Sequence, residues 1–208
     1  MRLILASTSP RRREILALLG VPFEIVTPEF PEVLSAHASI EDEVVDFAVG
    51  KARSVARKNP GSIVIGSDTM ILLDGAKIGK PLDQPDARRI LRLLSGKRHT
   101  IYTSVAIIDG GGPGLRRVET VDVDMRSFDS EDIDRYLAAG ESMDKAGAYS
   151  IQGEGRTLIT AMRGDYLAAV GMPLKPIADY LKYRGANFDC DIDRIYRTKK
   201  FQNWRSFD

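Results

Sequence analysis

The 208-residue chain is 43% hydrophobic and 28% charged, with a formal net charge of +1 at pH 7, the balance of an ordinary soluble globular protein with one sizeable domain or two small lobes sharing a core. So small a net charge argues against a broad basic face for nucleic acid but leaves room for a local basic pocket. The single cysteine, Cys190, excludes an internal disulfide and a cysteine-based zinc site. The first apolar run is too short for a signal-peptide core and no stretch has the length of a membrane span, so a cytoplasmic protein without a membrane or nucleic-acid partner is expected.

Leu3 to Ala6 read as a buried strand. Ser9 is a good N-cap and Pro10 suits the first helical position, so a helix is expected from about Pro10 to Leu19, stopped by Gly20. Arg11, Arg12 and Arg13 then fall in its first turn, beside the positive end of the helix dipole, where each cation costs about 0.3–1 kcal/mol. A bound polyanion would reverse that sign, because backbone N–H groups, hydroxyls and guanidinium groups would all point at it.

Phe23 to Val26 reads as a strand and Pro28 to Pro31 as a loop. Ser39-Ile40-Glu41-Asp42 resembles a capping box and opens a helix to about Lys58. Ile63 to Ile65 is a buried-strand run followed by Gly66-Ser67-Asp68-Thr69. Met70 to Leu73 and Lys77 to Gly79 read as a hairpin around Asp74-Gly75. A helix from about Pro85 to Leu94, a strand from Thr100 to Ile108, a glycine-rich turn at Asp109 to Gly114, a long polar strand from Arg116 to Phe128 and a helix from Glu131 to Ala139 follow. Gly140 to Gly155 has little period and many polar residues, the mark of a functional segment. Thr157 to Met162 and Tyr166 to Val170 suggest a last hairpin. Met172-Pro173 opens a final helix to about Tyr183, and the tail from Arg184, charged and aromatic by turns, should have little order of its own. Alternating strands and helices indicate an α/β fold.

The pattern contains no catalytic triad, no Walker-type loop and no dinucleotide fingerprint. His37 and His99 are the only histidines, and a structural role suits His99 better than a chemical one. The polar residues at the ends of apolar runs remain: Ser7, Ser9, Arg11 and Arg12 after the first, Asp68 and Thr69 after Ile63-Val64-Ile65. Ligands of α/β sheets bind beyond such strand ends. Taken singly, Asp68 reads equally as a turn-former, Glu32 as a solvated charge and Lys51 as a snorkelling side chain; Lys80 says little. Taken together they form the inventory for phosphoanhydride hydrolysis. Two carboxylates can share Mg²⁺ with substrate phosphates, cations can neutralise a triphosphate, and a carboxylate can accept a proton from the attacking water.

Leu5-Ala6-Ser7-Thr8-Ser9-Pro10-Arg11-Arg12, Gly66-Ser67-Asp68-Thr69, Gly79-Lys80-Pro81, Leu94-Ser95-Gly96, the run from Asp144 to Gly153, and Val170-Gly171-Met172-Pro173 resemble, in order, the motifs of the Maf nucleotide pyrophosphatases, relatives in fold of the inosine triphosphate pyrophosphatases. The resemblance implies an elongated mixed β-sheet flanked by helices, with two lobes around a cleft. It places one Maf-like domain over residues 1–185 and a tail over 186–208. It implies cleavage of a nucleoside triphosphate between the α and β phosphates, with a divalent cation (Mg²⁺ or Mn²⁺) as cofactor and a homodimer as a common assembly.

By position, Asp68 matches the family's proton acceptor, Glu32 its metal-site glutamate, Arg12, Lys51 and Lys80 its phosphate contacts, and Ser7 a hydroxyl near the phosphates. Glu32 and Asp68 are then the metal ligands, with Glu29 a substitute for Glu32. Lys145 contacts phosphate or braces its loop. Arg11, Thr69 and Gln152 stand where the subgroup acting on dTTP and UTP carries arginine, threonine and glutamine. A glutamine offers a pyrimidine edge both a donor and an acceptor. Ser150 replaces the family's usual glycine. Since the family is linked to arrest of cell division, a nucleotide-sensing protein with little turnover is the alternative.

Overall fold

In the computed structural model, which describes residues 2–35, 37–112, 114–186, 188 and 190–207, the apolar run after Arg2 is strand β1 (Leu3–Leu5), buried along its whole length. It has neighbours on both edges: β2 (Glu24–Ile25) and β3 (Ile63–Leu73) both run parallel to it, with Leu3 opposite Ile63 and Leu5 opposite Ile65. Parallel partners require crossover connections, and two helices supply them. Helix α1 (Pro10–Ala17) joins β1 to β2, and α2 (Ile40–Ala56) joins β2 to β3. Strands β4 (Ala76–Ile78), β5 (Arg98–Asp109), β6 (Leu115–Met125) and β7 (Ile159–Arg163) complete a seven-stranded sheet in the order β2-β1-β3-β5-β6-β7, with β4 on β3. The β3–β4 and β6–β7 pairs are antiparallel, so the sheet is mixed and the fold is α/β, as the alternation of elements implied.

The chain divides into two units. One comprises Met1–Asp68, Thr103–Glu119 and Gly171–Thr198, the other Thr69–Tyr102, Thr120–Val170 and Lys199–Asp208; the division falls within β3, β5 and β6. In the first unit the starts of α1 and α2 follow their caps. The Ser9 side chain accepts from the Arg12 amide, with Pro10 in the first turn and no acidic residue there. The Ser39 hydroxyl accepts from the Asp42 amide at 3.0 Å, and Glu41, Asp42 and Glu43 complement the dipole. Helix α2 buries Val44, Phe47, Ala48, Ala52 and Val55, and Lys51 with them. Gly66 of β3 lies so close to this helix that an added Cβ would stand 2.3 Å from the Ala48 carbonyl oxygen and 2.9 Å from the Ala52 nitrogen. Helices α6 (Leu174–Tyr183) and α7 (Ile192–Thr198) belong to the same unit. Tyr180 of α6 donates to Asp109 at 2.9 Å and Arg184 pairs with the same carboxylate, pinning the glycine-rich turn. Pro113 of that turn, and Asn187, Asp189 and Asp208 of the tail, lie outside the described residues.

In the second unit the Asp74-Gly75 hairpin forms as its residues demand, both having positive φ (50° and 81°) between β3 and β4. Helix α3 (Gln84–Leu94) packs against α4 (Ser130–Ala138) and the 3₁₀ turn Ala146–Ala148. A second 3₁₀ segment, Gly153–Leu158, leads into β7. The hairpin expected between Thr157–Met162 and Tyr166–Val170 is overturned: its second arm is helix α5 (Tyr166–Val170). Its fully buried run has strand-like composition. The Asp165 carboxylate nevertheless accepts from the Leu167 amide, and the Asp165 carbonyl from the Ala169 amide, starting a helical turn. The part of the tail from Lys199 to Phe207 packs within this unit: the Trp204 ring stacks on Tyr166 at 5.2 Å with 13° between planes. Among the described residues no helix is long and apolar enough to cross a membrane.

His99 has the structural role expected of it. It is 2% exposed in β5 and joined to the Tyr149 hydroxyl by a 2.7 Å hydrogen bond. Burial pushes its pKa down to about 4, against a smaller upward pull from Asp122 and Asp124.

Two predictions follow from this packing. Gly66→Ala lowers unfolding stability by about 1–3 kcal/mol in urea titration, because backbone and not a flexible side chain blocks the methyl; wild-type stability would contradict the close approach. The unfolded chain binds the His99 proton more tightly than the folded chain, so stability is complete above about pH 6.5 and falls as the pH drops toward 4. The loss is at most about 3 kcal/mol. His99→Gln should flatten that part of the stability–pH curve; an unchanged slope would assign it to other groups.

Candidate active site

Lys51 is on the buried face of α2, on the turn after Phe47 and Ala48, and is 6% exposed. A buried ammonium ion needs compensation. Its Nζ lies 2.6 Å from Glu32 Oε1 and 2.5 Å from Asp68 Oδ1. Glu32 comes from the loop before α2 and Asp68 from β3, so three sequence-distant candidates meet at one cation. Burial pushes the Asp68 carboxyl above the usual carboxylate range, while Lys51 and Arg12 pull it down and Glu32 adds a smaller upward push. Two carboxylates converging on one cation are an oxygen donor set of the kind a hard divalent ion uses. Among the described residues no group of three or more His, Cys, Asp or Glu side chains is placed to hold a metal, so this pair would need substrate or water oxygens to complete a coordination shell.

Asp68 is not beyond a strand end. Gly66-Ser67-Asp68-Thr69 reads as a turn because each residue favours one, yet the eleven residues of β3 run straight through it. The polar side chains make this possible by finding partners on alternate faces. Asp68 meets Lys51, while the Ser67 hydroxyl is shared between the Ser104 carbonyl at 2.7 Å and the Gly171 carbonyl at 2.9 Å.

The arginine turn meets the same cluster. Arg12 Nε donates to the Gly171 carbonyl at 2.9 Å, which fixes the guanidinium plane. Burial lowers the Arg12 pKa, opposed by Asp68 and then Glu32 and reinforced by Arg11; an arginine so placed stays charged. Arg11 is half-buried and Arg13 exposed. Ser7 is buried, its hydroxyl accepting from the Ser9 amide at 3.1 Å. Glu29, the substitute for Glu32, takes no part: it pairs with Lys58 at 2.7 Å on the surface. Ser67, Ser104 and Gly171, which seat Arg12, were not recognisable as site residues. Gly171 stood in a matched motif without a role, and nothing in Ser104's surroundings marks it.

The other candidates belong to the second unit. Thr69, half-buried, follows Asp68 in β3, and Lys80 is exposed. The Gly79 carbonyl accepts from the Gly147 amide at 3.0 Å, so the Lys80 and Lys145 segments lie side by side. Lys145 pairs with Asp144. The irregular segment is held through its backbone: Gly147 and Ala148 have positive φ (75° and 57°), and the Ser150 amide donates to the Tyr136 hydroxyl at 2.9 Å. Ser150 is not among the positive-φ residues, so glycine's freedom is not needed there. Gln152 is 8% exposed.

Comparison with known proteins agrees with the motif order. Residues 2–184 match the family described as Maf-like protein. The chain is 42% identical over 191 residues to a dTTP/UTP pyrophosphatase of Bacillus cereus (strain ATCC 10987 / NRS 248), covering 92% of both chains. It is 41% identical over 191 residues to a dTTP/UTP pyrophosphatase of Bacillus mycoides (strain KBAB4), covering 92% of this chain and 97% of that one. The structure is also similar to that of the Staphylococcus aureus Ham1 protein, with 14% identity and a TM-score of 0.44, covering 60% of this chain and 72% of that one. With a match along nearly its whole length and relatives of this identity, the chain belongs to the Maf family.

Proposed function

We propose that the protein is a divalent-cation-dependent nucleoside triphosphate pyrophosphatase that hydrolyses dTTP and UTP to the nucleoside monophosphate and pyrophosphate. The observation that carries this reading is the Lys51 ammonium held between Glu32 and Asp68, with the seated guanidinium of Arg12 acting on the same carboxylates. The names of the curated relatives supply the substrates. The enzyme works in the cytoplasm on free nucleotides, alone or as a homodimer, with no nucleic-acid or membrane partner.

Water attacks the α-phosphorus: its oxygen forms the new P–O bond, the bridging oxygen leaves with pyrophosphate, and one water proton goes to a base. Asp68 suits that task, since a carboxylate pushed upward by burial accepts a proton more readily than a solvated one. Arg12 and Lys51 offset the charge of the triphosphate, with Ser7 as a hydroxyl ligand and Arg11 contributing to substrate selection. Glu32 and Asp68 would hold Mg²⁺ or Mn²⁺, which when bound polarises phosphate oxygens and lowers the pKa of water. Lys80 keeps the phosphate-contact role of its matched position, and Lys145 either that role or the bracing of its own loop. Thr69 and Gln152 contribute to pyrimidine selection, Gln152 with one donor and one acceptor.

Pyrophosphate release from dTTP, UTP and 7-methyl-GTP, with and without Mg²⁺, tests the proposal. Turnover of the first two, abolished by chelation, is expected, and Asp68→Asn should slow it by roughly 10²–10⁴-fold with its melting transition intact. Full activity in Asp68→Asn would refute the mechanism. Preference for 7-methyl-GTP would refute the substrate assignment, and tight nucleotide binding without turnover would favour the sensing alternative.

A further inference from the structure

Gln152, in the role proposed above, reaches the base only if its backbone is held, and the structure shows what holds it. Upstream, Tyr149 is anchored by His99 and the Ser150 amide by the Tyr136 hydroxyl. Immediately downstream, Gly153 has φ 64°, and a Cβ there would stand 2.1 Å from the Glu141 carboxylate. That carboxylate accepts from the Glu154 and Gly155 amides at 3.2 and 3.3 Å. The Gly153 carbonyl is also reached from elsewhere in the chain: Asn203 Nδ2 donates to it at 3.2 Å.

Asn203 is itself in the left-handed region (φ 59°), which asparagine tolerates better than most residues. Its neighbours secure it. Trp204 is buried against Tyr166, whose hydroxyl donates to the Gln202 carbonyl. Arg156, four residues past Gln152, donates from Nη2 to the Ser206 carbonyl at 2.7 Å, and its guanidinium lies 4.4 Å from the Phe207 ring centroid. All these residues belong to one unit of the fold, and the segment that supplies the cap lies beyond residues 2–184, where the family match ends.

We infer that the C-terminal segment from Lys199 to Phe207 is a clasp on the Gly153–Leu158 turn, with Asn203 the positioning residue that sets the place of Gln152 and hence selectivity for the base. The inference deepens the proposed function and rests on its assignment of Gln152. A clasp of this kind acts on substrate recognition and leaves the phosphate chemistry alone. Its loss therefore appears in KM and in the preference among bases, with kcat little changed.

The test compares wild type, Asn203→Asp and a chain ending at Thr198. The aspartate keeps the shape and the left-handed backbone but replaces the donor with an acceptor facing the Gly153 carbonyl. Kinetics on dTTP and on dATP are measured beside amide hydrogen exchange of residues 149–155 and the melting temperature. Asn203→Asp is expected to raise KM for dTTP by roughly three- to tenfold, the worth of one hydrogen bond. With it, kcat stays within about twofold, the dTTP over dATP preference falls by a similar factor, and exchange at 149–155 quickens; the truncated chain should do the same or more. Unchanged KM, preference and exchange in Asn203→Asp would overturn the inference, whatever the melting temperature of the truncated chain. Should wild type fail to hydrolyse dTTP, the assignment of Gln152 fails separately. The clasp then stands or falls on exchange at 149–155 alone.

Discussion

A lysine ammonium taken almost wholly out of water, with a carboxylate from a loop and another from mid-strand closing on it, is the constraint around which the first unit is arranged. Such a group is a poor source of stability, since desolvation consumes most of what the ion pairs return. Its presence needs a different explanation, and anion chemistry supplies one. The cluster demands that α2 approach β3 to within backbone contact, and Gly66 permits it. It demands that β3 continue through four turn-forming residues, and the partners of Ser67 and Asp68 permit that. It also makes sense of one of the three arginines at a helix start that disfavours cations: Arg12 is drawn toward the carboxylates and seated on the Gly171 carbonyl.

The second unit works by a different principle. Its segment from Lys145 to Gly155 is built of short turns, and side chains reach to its backbone: the Tyr136 hydroxyl accepts from the Ser150 amide, Glu141 from the Glu154 and Gly155 amides, and Asn203 donates to the Gly153 carbonyl. Gly147 to Gln152 are buried as well as held, so the glutamine has a fixed place from which to meet a ligand.

How much of this was legible in the chain depends on the range of the signals. Caps, hairpin turns and apolar periods are local. The Ser9 and Ser39 caps, the Asp74-Gly75 turn and the buried runs of β1 and the start of β3 were accordingly readable from neighbouring residues alone; that the two strands pair in parallel was not. The motif order carried the family, and through it Glu32, Lys51 and Asp68 as a set, although their spacing of 19 and 17 residues says nothing of contact. What escaped were the cases where a distant partner overrides local preference. Tyr166 to Val170 has strand composition but is capped by Asp165 and buried as a helix. Asp68 has turn propensity but is claimed by Lys51. Ser104 and the carbonyl of Gly171 act on Ser67 and Arg12 through contacts between segments far apart in the chain. The tail, charged and aromatic by turns, has little order of its own in sequence because the face that Tyr166 offers to Trp204 lies far away in the chain.

The central claim is that Lys51 and Asp68 act as one device rather than as two independent contributors. A double-mutant cycle on kcat/KM for dTTP, built from Lys51→Met, Asp68→Asn and the combination, measures this directly. The account predicts strong non-additivity, the double variant being about as slow as the worse single variant. Losses that simply multiply would contradict it.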